Sequence, residues 1–239
     1  MAKKIPELSI FFPFWNEEQN IEAVVKRAIP VAEKTADKWE IIMIDDGSAD
    51  KTKEIADKLA KKDSRLRVVS HNPNRGYGAA LKEGFRTAKY KLVVFNDGDG
   101  QFDFSEVSRF INKIDDVDIV IGYRKKRIDH PFRHLLMNLL KIWDFVFFHF
   151  YFRDIDCGFK LFKKEALNKI SPLKSEGAMI TTEILARAKR KNLKIAQVEV
   201  SHYPRKFGSE TGGNPRVIIR AILESFSLWY DLRYNREIK

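Results

Sequence analysis

Lys91-Leu-Val-Val-Phe-Asn-Asp-Gly-Asp-Gly-Gln101 decides how the chain is to be read. Residues 91–95 are apolar in unbroken succession after the first, with turn-forming residues directly behind them. Such a run reads as a strand covered on both faces rather than a half-exposed one. Working outward, similar runs lie at 8–14, 40–45, 66–70 and 117–121. Between them, stretches with apolar residues at 3–4 spacing predict helices over 20–33, 51–62, 78–88 and 105–114. The alternation predicts an α/β fold, a mostly parallel sheet flanked by helices. Past Gly122 the pattern predicts a strand at 157–162 returning to the sheet, a helix at 181–191, a strand at 194–200 and a last amphipathic helix over about 216–230. With no repeat, low-complexity tract or independent linker, residues 1–239 read as one domain.

The chain has 239 residues, 44 of them Lys or Arg and 33 Asp or Glu, for a net charge of +11, and 44% are hydrophobic. That composition excludes a disordered or fibrous chain. A single cysteine, Cys157, excludes an intrachain disulfide and fits a reducing compartment. Residues 1–119 carry 20 basic and 21 acidic side chains, a balance of −1. Residues 120–239 carry 24 and 12, a balance of +12. The excess in the second half points to an anionic partner on one face: nucleic acid, lipid headgroups or a phosphorylated substrate. No helix-turn-helix, RRM or zinc-finger pattern is present, and carboxylates at the strand ends would repel nucleic-acid phosphates, so no nucleic-acid partner is expected. Met1-Ala-Lys-Lys runs straight into a strand, so no signal peptide is expected. The most apolar stretch, 135–152, is broken by Asn138, Lys141, Asp144 and His149 and reads as lying on a membrane or packed inside.

In an open parallel sheet, ligands bind beyond the carboxyl ends of the strands. Here those ends read Asn16-Glu17-Glu18, Asp45-Asp46-Gly47-Ser48, His71-Asn-Pro-Asn-Arg75-Gly76 and Asn96-Asp97-Gly98-Asp99-Gly100-Gln101. Two carboxylates flanking Gly98 can direct oxygens at one hard cation, Mg²⁺ or Mn²⁺. Asp45 and Asp46 can accept hydrogen bonds from a nucleobase or ribose, while Ser48 or Asp50 can cap the next helix. Arg75-Gly76-Tyr77-Gly78 opens a helix, where free N–H groups and a guanidinium can face a pyrophosphate. There is no Walker A lysine, and Leu81 departs from the G-x-G-x-x-G spacing.

Phe12-Pro-Phe-Trp-Asn-Glu-Glu18, Ile44-Asp-Asp-Gly-Ser48, Asn74-Arg-Gly-Tyr-Gly78, Asp97-Gly-Asp-Gly-Gln101 and Cys157-Gly-Phe-Lys-Leu-Phe162, in that order, resemble glycosyltransferase family 2. The nearest branch is that of the polyprenyl-phosphate glycosyltransferases, such as dolichyl-phosphate mannose and glucose synthases. The resemblance covers about 7–213 and implies a GT-A (Rossmann-like) fold with C-terminal amphipathic helices. It implies a nucleotide-sugar half at 1–122, an acceptor half at 123–214 and a C-terminal amphipathic helix at 215–239, to lie on a membrane or to pack in a core or dimer.

By the same resemblance, Pro13, Asn16, Glu17, Asp45 or Asp46, Arg75, Gly76, Asp97, Gly98, Asp99 and Arg205 surround a nucleotide-sugar donor, of GDP-mannose or UDP-glucose type. Asp97 and Asp99, with Gln101 beside them, take the metal. Arg124 and Arg133 hold the phosphate of a polyprenyl-phosphate acceptor, and Glu183 lies near that acceptor. Met137 stands where the family often has Ser, and Glu210 where it has a basic residue, which leaves Arg205 or Lys206 to compensate. The expected reaction is inverting transfer of a hexose by a peripheral enzyme on the cytoplasmic membrane face. A lipid phosphate, with a second pKa of about 6, is largely dianionic at neutral pH and needs no protein base. A carbohydrate hydroxyl, on a soluble or cell-surface acceptor, would need one, with Glu183 or Asp99 the candidates. The sequence fixes no oligomeric state.

Overall fold

The computed structural model describes residues 4–125, 146–148, 150–208 and 215–234, with backbone only for 215–218. Seven strands form one sheet: β1 (Ile5–Phe14), β2 (Ala36–Asp45), β3 (Leu66–Ser70), β4 (Leu92–Asn96), β5 (Ile119–Arg124), β6 (Phe159–Lys163) and β7 (Ile195–Val200). Their order is β3-β2-β1-β4-β6-β5-β7. The helices are α1 (Ile21–Thr35), α2 (Thr52–Ala60), α3 (Tyr77–Thr87), α4 (Val107–Ile114), α5 (Lys164–Ile170), α6 (Ile180–Arg190) and α7 (Pro215–Tyr234).

The unbroken apolar runs are explained by two cores, one on each side of the sheet. Phe12, Phe14, Val94 and Phe159 face the α1, α2 and α4 layer and meet Ile21, Val25, Ala28 and Phe110. Their strand neighbours Phe11, Phe95 and Phe162 face the other layer and meet Leu81 and Phe85 of α3 and Ile184 of α6. Successive strand residues point to opposite faces, so a strand buried on both sides must be apolar throughout. Each fully buried Phe contributes about 1.5–3 kcal/mol.

The fold departs from the sequence reading in several places, of which these bear most on the architecture. β1 and β2 begin earlier than expected, because their polar N-terminal halves still pair in register, Glu7 against Lys38 and Ile5 against Ala36. β6 runs antiparallel to both β4 and β5. α5 was not expected: seven residues burying only Ala166, Leu167 and Ile170 are too short for a periodicity to show.

This topology sets the site. β1 to β4, β5 and β7 all end at one edge, and antiparallel β6 starts there. The loops after the first four strands, Arg124, residues 154–158 and residues 201–208 therefore share that edge.

Candidate active site

The Asp97–Gln101 turn is fixed from below by its own glycine. A Cβ on Gly98 would come within 2.4 Å of the Phe14 ring and 2.6 Å of the Pro13 carbonyl oxygen, so the turn lies flat on the end of β1. The Asp97 N–H donates to the Gly158 carbonyl (2.9 Å), and the Tyr77 hydroxyl donates to Asp97 Oδ1 (2.8 Å). Asp99 Oδ1 accepts from the Gln101 N–H (3.0 Å). Burial, and then the charge of Asp99, push Asp97 up to about 6. Burial raises Asp99 as well. Burial and the Asp97 charge hold the Tyr77 hydroxyl well above its usual range, so it stays a donor.

A pair of carboxylates held against their own repulsion at a partly buried edge fits a hard divalent cation. Among the described residues no group of three or more His, Cys, Asp or Glu side chains is arranged to hold a metal ion, so further ligands would have to come from substrate or water. Gln101 takes a different part from the one expected of it. Its Nε2 donates to the Tyr203 carbonyl (3.0 Å), and its own carbonyl accepts from the Tyr203 N–H (2.8 Å). It thereby fastens the 203–207 segment above Asp99.

That segment delivers Arg205. Its guanidinium pairs with Glu17 Oε1 and lies 3.6 Å from Asp99 Oδ2, while its Nε donates to the Phe207 carbonyl (2.7 Å). Glu17, raised by burial and opposed by Asn20 and Arg205, also accepts from Asn20 Nδ2 (2.6 Å). A cavity of about 460 Å³ reaches Asp97 and Arg205 from the α1 side, past Asn96, Phe102 and Phe104.

The two aspartates ending β2 are used differently. Asp46 is spent on the chain itself. Its carboxylate meets His71 Nδ1 (2.6 Å), Asn74 Nδ2 (2.9 Å) and the N–H groups of Arg75 (3.0 Å) and Gly76 (2.8 Å), pinning the loop before α3. Asp45 uses Oδ1 on the Ser48 N–H (3.2 Å), which leaves it the member of the pair with an oxygen to offer a ligand. Asn16, at φ 55°, ties the β1 and β2 ends together by accepting from the Ala49 N–H (2.8 Å). The Arg75 side chain is half-exposed beside Glu176 (3.3 Å).

Arg124 reaches the same edge, but its fork is filled by Asp154: Nε to Oδ2 at 2.6 Å and Nη2 to Oδ1 at 2.8 Å. Both side chains are buried. Arg133, Met137 and Glu210 lie outside the described residues, as does most of the 135–152 stretch. Within that stretch, Phe150 and Phe152 join the second core.

Glu183, expected near the acceptor and as a base for a hydroxyl, is enclosed by the chain itself. It is 0% exposed, and its oxygens accept from the N–H groups of Lys174 (2.9 Å) and Ser175 (2.7 Å) and from Arg187 Nε (2.7 Å). It is a clamp that shapes the loop packed on Gly76 and Gly78. Glu183→Gln is therefore expected to cost about 3 kcal/mol of stability, because it leaves the buried Arg187 charge unpaired. The folded variant should keep the shape of the wild-type pH–rate profile; loss of its acidic limb would mean that Glu183 is a base after all.

Four site-forming residues escaped the sequence reading of individual side chains: Tyr77, Asp154, Gly158 and Lys160. Lys160 is fully buried, donates to the carbonyls of Ile155 (2.9 Å) and Cys157, and is pushed down by burial. It closes the turn that brings Gly158 under Asp97. The available signal was the Cys157–Phe162 motif, whose Gly and Lys are the working members.

The chain is 32% identical over 220 residues to a dolichyl-phosphate beta-glucosyltransferase of Saccharomyces cerevisiae, covering 81% of this chain and 66% of that protein. It is 27% identical over 237 residues to a dodecaprenyl-phosphate galacturonate synthase of Rhizobium johnstonii, covering 96% of this chain and 68% of that one. The chain thus spans about two thirds of these relatives. Glucosyl-3-phosphoglycerate synthase from Mycobacterium tuberculosis shares the fold, with a TM-score of 0.70 at 21% identity over 93% of this chain and 80% of that one. The model of glycosyl transferase family 2 matches residues 9–171, from β1 through α5 and including the Asp97–Gln101 turn, and the chain belongs to that family.

Proposed function

We propose that the protein transfers a hexose from a nucleotide-sugar to a polyprenyl phosphate, with inversion, at the cytoplasmic face of a membrane. The observation that carries the reading is the Asp97–Asp99 pair, crowded, raised in pKa and faced by Arg205, at the edge where the parallel strands end. Mg²⁺ or Mn²⁺ on that pair would supply positive charge to the leaving diphosphate. Arg205 adds a planar donor group on the same side. Asp45 has an oxygen left to orient the nucleotide, whereas the start of α3 does not offer the free N–H groups expected of it, because Asp46 takes those of Arg75 and Gly76 and the Glu176 carbonyl takes those of Gly78 and Ala79. The yeast relative's name supplies the acceptor class, and the mycobacterial enzyme of the same fold has been crystallised with Mn²⁺ and UDP-glucose.

The enclosure of Glu183 favours a phosphate over a hydroxyl acceptor. With that carboxylate spent on backbone N–H groups, and Asp99 committed to a cation, no side chain named for the task remains to take a hydroxyl proton. A dianionic phosphate arrives ready to attack. Thermal stabilisation tests the donor half of the reading. UDP or GDP with Mn²⁺ should raise the Tm by several degrees, and EDTA should abolish the rise; no response to any nucleoside diphosphate would contradict it.

α7 supports the membrane reading because it keeps an apolar stripe outside while Ser225, Leu228 and Leu232 pack inward. Glu224 accepts from the N–H groups of Glu176 (3.3 Å) and Gly177 (3.0 Å), and Asp231 pairs with Lys174 (2.7 Å). Ile219, Ile222, Leu223 and Tyr230 face outward, with Leu223 65% exposed, and Phe147 packs on Phe226 and Trp229 beside them. Among the described residues no helix is long and apolar enough to cross a membrane. An outward apolar stripe with Arg220 and Arg233 nearby suits insertion into an anionic headgroup layer. Ile219→Asp with Leu223→Asp is expected to lower co-sedimentation with phosphatidylglycerol vesicles at least about tenfold, with the Tm little changed.

A further inference from the structure

Arg205 occupies a position that, on the reading just given, a cation must share. Its guanidinium holds Glu17 and stands 3.6 Å from Asp99 Oδ2, the oxygen of that carboxylate not taken by the Gln101 N–H. It is set there by its own segment. Gln101 grips Tyr203 through two hydrogen bonds, Phe102 bridges to His202, and the Phe207 carbonyl accepts from Arg205 Nε and from Asn20 Nδ2. The side chain is only 16% exposed, so little water screens it from Asp99.

We propose that Arg205 and the divalent cation compete for Asp99, and that the donor diphosphate resolves the competition by giving Arg205 another anion to hold. The proposal rests on the donor and cation reading above, and deepens it. Two positive groups against one carboxylate repel each other, so a cation arriving alone pushes Arg205 off Asp99 and leaves it Glu17 and the Phe207 carbonyl. A diphosphate carries enough oxygens for both. Its bidentate geometry suits a guanidinium, and its remaining oxygens suit a hard cation. Arg205 thereby makes cation and nucleotide bind together more strongly than either binds alone. By reciprocity the nucleotide's gain from the cation equals the cation's gain from the nucleotide. The sequence reading left the choice between Arg205 and Lys206 open at this point; the contacts to Glu17 and Asp99 belong to Arg205.

The test measures Mn²⁺ binding to the whole chain by electron paramagnetic resonance, without nucleotide and then with UDP or with GDP. Arg205→Gln should bind Mn²⁺ alone about fivefold or more tightly than wild type, and should show a smaller gain in Mn²⁺ affinity when the nucleotide is added. Arg205→Lys, which keeps the charge and loses the fork, should fall between the two and serves if the glutamine variant does not fold. Wild type that binds Mn²⁺ with nucleotide, beside an Arg205→Gln protein that binds Mn²⁺ alone no more tightly, would overturn the competition while leaving the metal reading intact. Wild type that binds no Mn²⁺ with either nucleotide would overturn the metal reading itself, and the competition with it.

Discussion

Asp97→Asn is expected to remove sugar transfer while making the protein more stable. The asparagine keeps the shape, the backbone N–H bond to Gly158 and an oxygen for the Tyr77 hydroxyl. It removes the charge. On the proposed function, losing one of the two carboxylates assigned to the cation should lower kcat/KM by about 10²–10³-fold or more, the scale of losing a main electrostatic contact to the leaving group. The stability change runs the other way. Asp97 goes from 3.8 to about 6 on folding, so the folded state binds more protons than the unfolded state between those values. Stability therefore falls as pH rises from about 4 to about 6, and at pH 7 the ionised carboxylate is a standing cost of about 1–3 kcal/mol. The variant should lack that slope and gain in Tm at pH 7. Denaturation at pH 4.5 and pH 7, beside the transfer rate, checks both halves; an inactive variant with a lowered Tm would show that Asp97 serves the fold instead.

Gly158→Ala is expected to damage the same carboxylate from below, with the opposite sign for stability. A Cβ at residue 158 would lie 1.8 Å from Asp97 Oδ2 and 2.1 Å from its Cγ. Retreat is blocked on both sides. The Gly158 carbonyl is bonded to the Asp97 N–H, and β6 is held between β4 and β5 just beyond. The methyl must therefore push Asp97 out of line or open the Cys157–Phe159 turn that Lys160 closes. A loss of about 2–4 kcal/mol is expected, on the scale of forced overpacking. A displacement of about 1 Å at the carboxylate should cost about 10²-fold in rate. A Gly158→Ala protein with wild-type Tm and Mn²⁺ affinity would show that the turn yields freely and that the glycine is not needed there.

The pair of variants separates what the sequence could say from what it could not. Local chemistry was readable: the run at 91–95 and its carboxylate turn, the bounds of β3, and the convergence of four polar strand ends, three of them acidic, all follow from patterns a few residues long. The contacts that divide the work were not readable, because they join distant parts of the chain. Asp46 is consumed by residues 71–76, Glu183 by Lys174 and Ser175 and by Arg187 of its own helix, and Arg124 by Asp154. Nothing in an Asp-Asp pair tells which member turns to the protein. The direction of β6 was hidden for a similar reason, since Phe159–Lys163 reads the same whichever way it enters the sheet. Tyr77 and Gly158 were visible as motif letters, but their meeting with Asp97 needs the strand order β1-β4-β6 to exist first.

The most direct measurement is the transfer itself. Purified protein is incubated with labelled UDP-glucose, GDP-mannose or UDP-galacturonate and a polyprenyl phosphate in detergent, with Mg²⁺ or Mn²⁺, and label is counted in the organic phase. At least one donor should give a lipid-linked sugar whose formation stops with EDTA and with Asp97→Asn. A lipid product formed equally well with EDTA, or by Asp97→Asn at the wild-type rate, would contradict the account, as would absence of lipid product from every nucleotide-sugar while a hydroxyl acceptor is glycosylated.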